Sequence, residues 1–255
     1  METRYELIVE YLGYGYHGWQ SQPQVKTVQG TLERVLRYVT GHERVRTLAA
    51  GRTDAGVSAD AMPVQLILDQ PVDTDAMLAK LNEHLPTDIR VIFWDKAPKG
   101  FNILEAVDWK MYSYRFSLRN LVSPSAAPFL AGVPGPLDTP RMEECAQLFE
   151  GTHDFRVYGY QVDQDTETQR TLRLSKLEYH FVPDEDLPRH WELRVMSRGF
   201  MRHQVRLMAG AIIACGQGEL SLDEVKQSLE KPEEANHYYL APAPGLRLVM
   251  VKYKS

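Results

Sequence analysis

The sequence predicts an α+β fold assembled from two related halves. Strand-like and helix-like segments alternate along all 255 residues, and each half mixes them in a similar order. One stretch, NLVSPSAAPFLAGVPGPLDT at 120–139, is rich in Pro, Gly, Ser and Ala and is the clearest connector. The expected architecture is two α+β subdomains, 1–105 and 106–255, whose sheets could join, with helices on the outer faces.

YELIVEYL (5–12) has the branched and aromatic content of a strand. TVQGTLERVLRYVTG follows as a helix. Thr27 suits its N-cap, Val28, Leu32, Val35, Leu36 and Val39 fall at helical spacing, and Gly41 stands at the C-cap. RVRTLAA (44–50) and PVQLIL (63–68) read as strands, and TDAMLAKLNEHL (74–85) as a second amphipathic helix ended by Pro86. Strands are expected at IRVIFWD (89–95) and VDWKMYSYRFSL (107–118). After the connector, TPRMEECAQLFEG reads as a helix with Thr139 as N-cap, Pro140 at its first helical position and Gly151 at its end. Strands at 170–181 and 190–197, helices at 199–216 and 221–230, and a closing strand at 246–253 complete the series.

Composition narrows the function classes. Hydrophobic residues make up 44% and charged residues 25%, which excludes a disordered or collagen-like chain. No apolar run approaches the roughly 20 residues that span a bilayer, and the N-terminus lacks a signal-peptide pattern, so a cytoplasmic protein is expected. Cys145 and Cys215 then read as free thiols. No Cys/His spacing suits zinc and no glycine-rich nucleotide loop is present, so neither metal nor nucleotide is indicated. Net charge is −5, which by itself points to no polyanion. Yet arginines cluster at 34, 37, 44, 46 and 52, then at 170, 173, 198, 202 and 206, while acids gather in DQDTE (163–167) and PDED (183–186). A locally basic face can bind a polyanion on an acidic protein, although solvated surface charge gives the same pattern.

The most informative stretch is AAGRTDAGVSAD (49–60), which holds Arg52, Thr53 and Asp54 between Gly51 and Gly56. Such a loop lets the backbone approach another molecule while a charged pair points outward. Asp54 is a candidate nucleophile or general base, or a turn residue whose side chain caps its own backbone. Arg52 nearby favours the ionised carboxylate. In KMYSYRF, Tyr112 and Tyr114 share one strand face, where one ring can stack on a flat ligand or pack in the core. In GFMRHQVRLMAGAIIACG, Met201, Val205, Met208, Ala209 and Ile212 form an apolar stripe flanked by Arg202 and Arg206 one turn apart. Arg206 is placed to reach an interior carboxylate or to lie in solvent. His17 and Trp19, in YGYHGWQ, are either ligand-facing or packed.

YLGYGYHGWQSQPQVKTVQGTLERVL, GRTDAGVSA, LNEHLPTDIRV, YSYRF, FEGTHDF, GFMRHQVRLMAGAI and LAPAPGLRLVMVKY occur in the order seen in the TruA-type tRNA pseudouridine synthases, which this chain resembles over almost its whole length. The resemblance implies the pseudouridine synthase fold, with one mostly antiparallel sheet. It also implies a homodimeric, cofactor-free isomerase acting on tRNA at anticodon-arm positions 38 to 40. By the same resemblance Asp54 is the nucleophile, Arg52 displaces and holds the target nucleotide, Tyr112 stacks on the base, and Arg206 pairs with the nucleophile. Three positions depart from the family pattern: Leu104 and Lys110 stand where arginines are usual, and Ser58 where many bacterial members carry His. They leave the catalytic residues in place and bear on substrate choice; the alternatives are a divergent synthase acting on another tRNA position or another RNA, or a non-catalytic RNA-binding paralogue.

Overall fold

The structure, a computed structural model, describes residues 2–181, 187–235 and 239–254. The acidic stretch PDED at 183–186 lies outside the described residues. The chain divides into two compact units, Met1–Asp108 with Leu248–Ser255, and Trp109–Arg247. The C-terminal strand thus belongs with the N-terminal unit.

The first unit contains β1 (Thr3–Tyr11), α1 (Val28–Thr40), β2 (Val45–Ala49), β3 (Ser58–Leu68), α2 (Thr74–His84), β4 (Ile89–Lys96) and the short α3 (Ile103–Ala106). β1 lies between β4 and β3, β2 also pairs with β3, and all three pairings are antiparallel. Alternation in β1 buries Tyr5, Leu7, Val9 and Tyr11. The seven buried positions of α1 include all five of its expected apolar residues. Its ends are those the sequence announces: the Thr27 hydroxyl accepts from Gly30 N at 3.2 Å, and Gly41 closes the helix at φ 71°. α1 packs on α2 and β2, and α2 also packs on β4.

The second unit runs through β5 (Val107–Leu118, its first two residues in the first unit), β6 (Ala131–Val133), α4 (Thr139–Leu148), β7 (Gly151–Asp154), β8 (Gln169–His180), β9 (His190–Ser197), α5 (Gln204–Gln217) and α6 (Leu222–Glu230). Its strands are ordered β5-β9-β8-β7, antiparallel throughout, and β6 adds in parallel to β5. α4 packs on α5, α6 and β8. Cys145 and Cys215 are free and buried. β10 (Leu246–Tyr253) neighbours β3, and in the first unit the Tyr253 hydroxyl donates to Glu6 Oε1 at 2.6 Å. The α+β class with mostly antiparallel pairing is the one expected.

Four local expectations are corrected. α5 begins at Gln204 and not at 199, because His203 takes a left-handed conformation at φ 63° and the Gln204 side chain accepts from Met201 N at 2.8 Å. Met201 and Arg202 therefore precede the helix. α4 is capped by Asp138, whose side chain accepts from Arg141 N, while Thr139 accepts from the Trp191 indole at 2.9 Å. Gly151 opens β7 at φ 108° instead of closing the helix, and β3 starts at Ser58, five residues before the expected strand.

Candidate active site

The turn between β2 and β3 carries Arg52 and Asp54. Its shape is set by a second segment, Leu12 to Ser21, which lies against it backbone to backbone. Trp19 N donates to Thr53 O at 3.1 Å and Gly56 N to Tyr16 O at 3.1 Å, while Gly13 N donates to the Ser58 hydroxyl at 3.0 Å. Two glycines make this approach feasible. A Cβ on Gly13 would sit 2.0 Å from Val57 O, and one on Gly18, at φ 89°, would sit 2.8 Å from Thr53 O. Thr53 is itself buried and shares a 2.8 Å hydrogen bond with the Tyr11 hydroxyl.

The other side of that segment is bolted to α1. Val28 N and Gln29 N donate to the carbonyls of Gly18 and Trp19. The Gln29 carboxamide accepts from Ser21 N and Gln20 Nε2 and donates to Thr47 O and Oγ1. Tyr16 donates to Asp88 Oδ1 at 2.6 Å; burial and the Asp88 carboxylate both push its phenol pKa upward. Trp19 is buried at 1% and packs on Tyr11, which decides for core packing, while His17 is exposed.

In this frame Asp54 is half-buried and Arg52 is exposed. Asp54 O accepts from Val57 N at 3.1 Å, and Gly56 takes φ 80°, so the turn is closed by main chain. A loop fixed on both flanks holds the backbone of Asp54 in place, as positioning of a reactive side chain requires. Ser58 is buried and holds Gly13 N, a structural task.

Tyr112 and Arg206 belong to the second unit. Tyr112, on β5, is 8% exposed and meets Phe200 edge to face, with centroids 5.3 Å apart. Arg206, in the first turn of α5, is half-buried, and its Nε donates to Ala241 O at 2.7 Å. Arg202 is exposed, lies 4.9 Å over the Tyr160 ring and donates to Gln161 Oε1. Arg202 and Arg206 are thus not a pair on one helix face. Leu104 is 61% exposed, and burial lowers the Lys110 pKa. Sequence reasoning missed Gly13, Gly18, Thr53, Tyr11 and Gln29. The cue was available in Gly13 and Gly18 of YLGYGYHGW, since a glycine without a turn partner often marks a close backbone approach.

A family model described as tRNA pseudouridine synthase matches residues 145–254. Proteins named tRNA pseudouridine synthase A align over the rest as well. The one from Methylobacterium radiotolerans is 33% identical over 253 residues, 98% of either chain. That of Methylobacterium sp. strain 4-46 is 35% identical, covering 98% of this chain and 97% of its own. The Lactobacillus delbrueckii subsp. bulgaricus protein is 29% identical over 100% of this chain and 95% of its own. Read together with the rigid aspartate loop, these matches place the chain in the tRNA pseudouridine synthase A family.

Proposed function

We propose that this pseudouridine synthase isomerises uridines at positions 38 to 40 in the anticodon arm of tRNA, with Asp54 as its nucleophile. The carrying observation is the loop at 52–57, fixed on both flanks by backbone bonds that leave a half-buried carboxylate at its turn. The reaction breaks the N1–C1′ bond, turns the uracil and forms C5–C1′; C5 loses a hydrogen, N1 gains one, and the composition is unchanged. The base must first leave its stack, at a cost of a few kcal/mol. Arg52, exposed beside the nucleophile, holds the displaced nucleotide, and Tyr112 stacks on the flipped ring. Arg206 keeps Asp54 ionised and aimed, in keeping with the lowering of a carboxyl pKa by a nearby cation. No cofactor takes part. Affinity for tRNA comes from phosphate contacts of the exposed arginines at 34, 37, 44, 46, 173, 198 and 202. The enzyme works as a homodimer in the cytoplasm.

The test is Asp54→Asn, which keeps the shape and removes the charge. tRNA binding is expected to persist while pseudouridine, mapped chemically in the anticodon arm, is no longer formed. An active Asp54→Asn enzyme overturns the assignment. One observation favours a narrower variant of this reading: exposed Leu104, where the family usually has arginine, removes a cationic contact and shifts target choice among tRNA positions. Comparing pseudouridine maps of tRNA from cells with and without the protein distinguishes the two.

A further inference from the structure

The segment Tyr239–Gly245 crosses α5 at Arg206 and Gly210 and then runs beside β5. The first crossing is at Arg206: its Nε donates to Ala241 O at 2.7 Å, and Ala241 N returns a bond to Arg206 O at 3.3 Å. The second is one turn along the same helix face at Gly210, where a Cβ would lie 1.7 Å from Tyr239 O. Only glycine allows the segment to lie this close. Farther on, the Tyr114 hydroxyl donates to Pro242 O at 3.0 Å, and Arg115 N donates to Gly245 O at 3.0 Å. Gly245 takes φ 99° with its Cβ direction blocked at 2.2 Å by Arg115 O. Pro242 and Pro244 fix two more φ angles. Ala241 is fully buried, and Tyr114 is 0% exposed.

A guanidinium whose Nε is committed to a carbonyl cannot turn about its long axis. Its plane is set, and a carboxylate partner has to be met by the Nη1/Nη2 end. The height and tilt of that end follow the Ala241 carbonyl, whose position is fixed by the Tyr114 hydroxyl on one side and by Gly210 on the other.

We propose that Tyr114 and Gly210 are positioning residues for the isomerisation: they clamp the 239–242 strap that aims Arg206. The inference rests on the role given to Arg206 above. Tyr114 acts through a carbonyl one residue from the one that holds Arg206.

Tyr114→Phe deletes the hydroxyl and keeps the buried ring. Turnover of tRNA uridine is expected to fall about tenfold to a hundredfold, as for a small misplacement of a catalytic group, with KM and tRNA affinity within about twofold. In protein labelled with 15N-arginine, exchange of the Arg206 Nε–H with water is expected to accelerate about tenfold or more, as a lost bond of this kind allows. Gly210→Ala, which forces the Tyr239 carbonyl away, should reproduce both effects, so that the proposal does not depend on one variant. Arg206→Ala is the reference. If it abolishes turnover while Tyr114→Phe and Gly210→Ala keep wild-type kcat and slow exchange, the strap inference is overturned and the role of Arg206 stands. If Arg206→Ala itself keeps wild-type turnover, the reading beneath the inference fails. A Tyr114→Phe protein that loses kcat and tRNA affinity alike, with protection lost throughout α5, marks the hydroxyl as merely structural and also overturns the proposal.

Discussion

Glu192 on β9 supports the sharpest stability prediction. It is 2% exposed and receives hydrogen bonds from the Ser113 hydroxyl at 2.6 Å, Arg115 Nε at 2.9 Å, and Arg194 Nε and Nη2 at 2.9 and 2.6 Å. His180 Nε2 stands 3.5 Å from its second oxygen. Burial alone raises a carboxyl pKa, but the bonds from Ser113, Arg115 and Arg194 and the Arg115 charge outweigh it and bring Glu192 to about 2, from an ordinary 4.5. At 1.36 kcal/mol per unit that difference corresponds to about 3 kcal/mol, and since Arg115 and Arg194 remain partly in water, about 2–3 kcal/mol is the expected contribution. Because the folded pKa is depressed, this stability is fully present above the unfolded value and is lost as pH falls from about 4.5 toward 2.

Glu192→Gln keeps the volume and one acceptor while removing the charge. Chemical denaturation at neutral pH should show a loss of about 2–3 kcal/mol, and repeated between pH 4.5 and pH 2 it should show the variant losing less stability than the parent. A variant as stable as the parent at neutral pH, or one with an unchanged acid slope, would refute the account of Glu192 as an ionised anchor for two arginines.

Other expectations are simpler to check. Gly18→Ala places a Cβ against Thr53 O at φ 89°, so it should cost about 1–3 kcal/mol in melting experiments and lower kcat by displacing the Asp54 turn. Ser221→Ala breaks the capping box with Glu224 at the start of α6 and should cost about 1 kcal/mol without affecting turnover. Filter binding of tRNA should weaken roughly a thousandfold from 50 to 200 mM salt if about six phosphates are held; a flat response would argue against a large RNA footprint.

Much of the fold could be read where one period dominates. β5 and β10 match VDWKMYSYRFSL and LRLVMVKY residue for residue, because long branched and aromatic runs leave no competing reading. α1 was legible at both ends, since Thr27 and Gly41 carry the chemistry of their caps. β3 was read short because Ser58, Ala59 and Asp60 lack strand propensity, and pairing with β1 draws them in. The start of α5 was illegible for another reason: histidine adopts a φ such as 63° more readily than most residues, yet so seldom that its presence does not announce it. Within the site, the Asp54 loop stood out through its glycines and charges. The 239–245 strap did not, because composition says only that LAPAPG is irregular, and the carbonyls it brings to Arg206 and Tyr114 come from far away in sequence.

The closing strand has a consequence for biosynthesis. Leu248 is fully buried, Lys254 N bonds Ala106 O at 2.8 Å, and residues from Leu248 onward cluster with the first unit. As the chain leaves the ribosome, the amino-terminal unit therefore waits, one strand short, until the whole of the second unit has been made. Its nascent form exposes the flank of β3 that β10 will cover, so the aspartate loop is assembled on a platform finished only once the second unit has been synthesised.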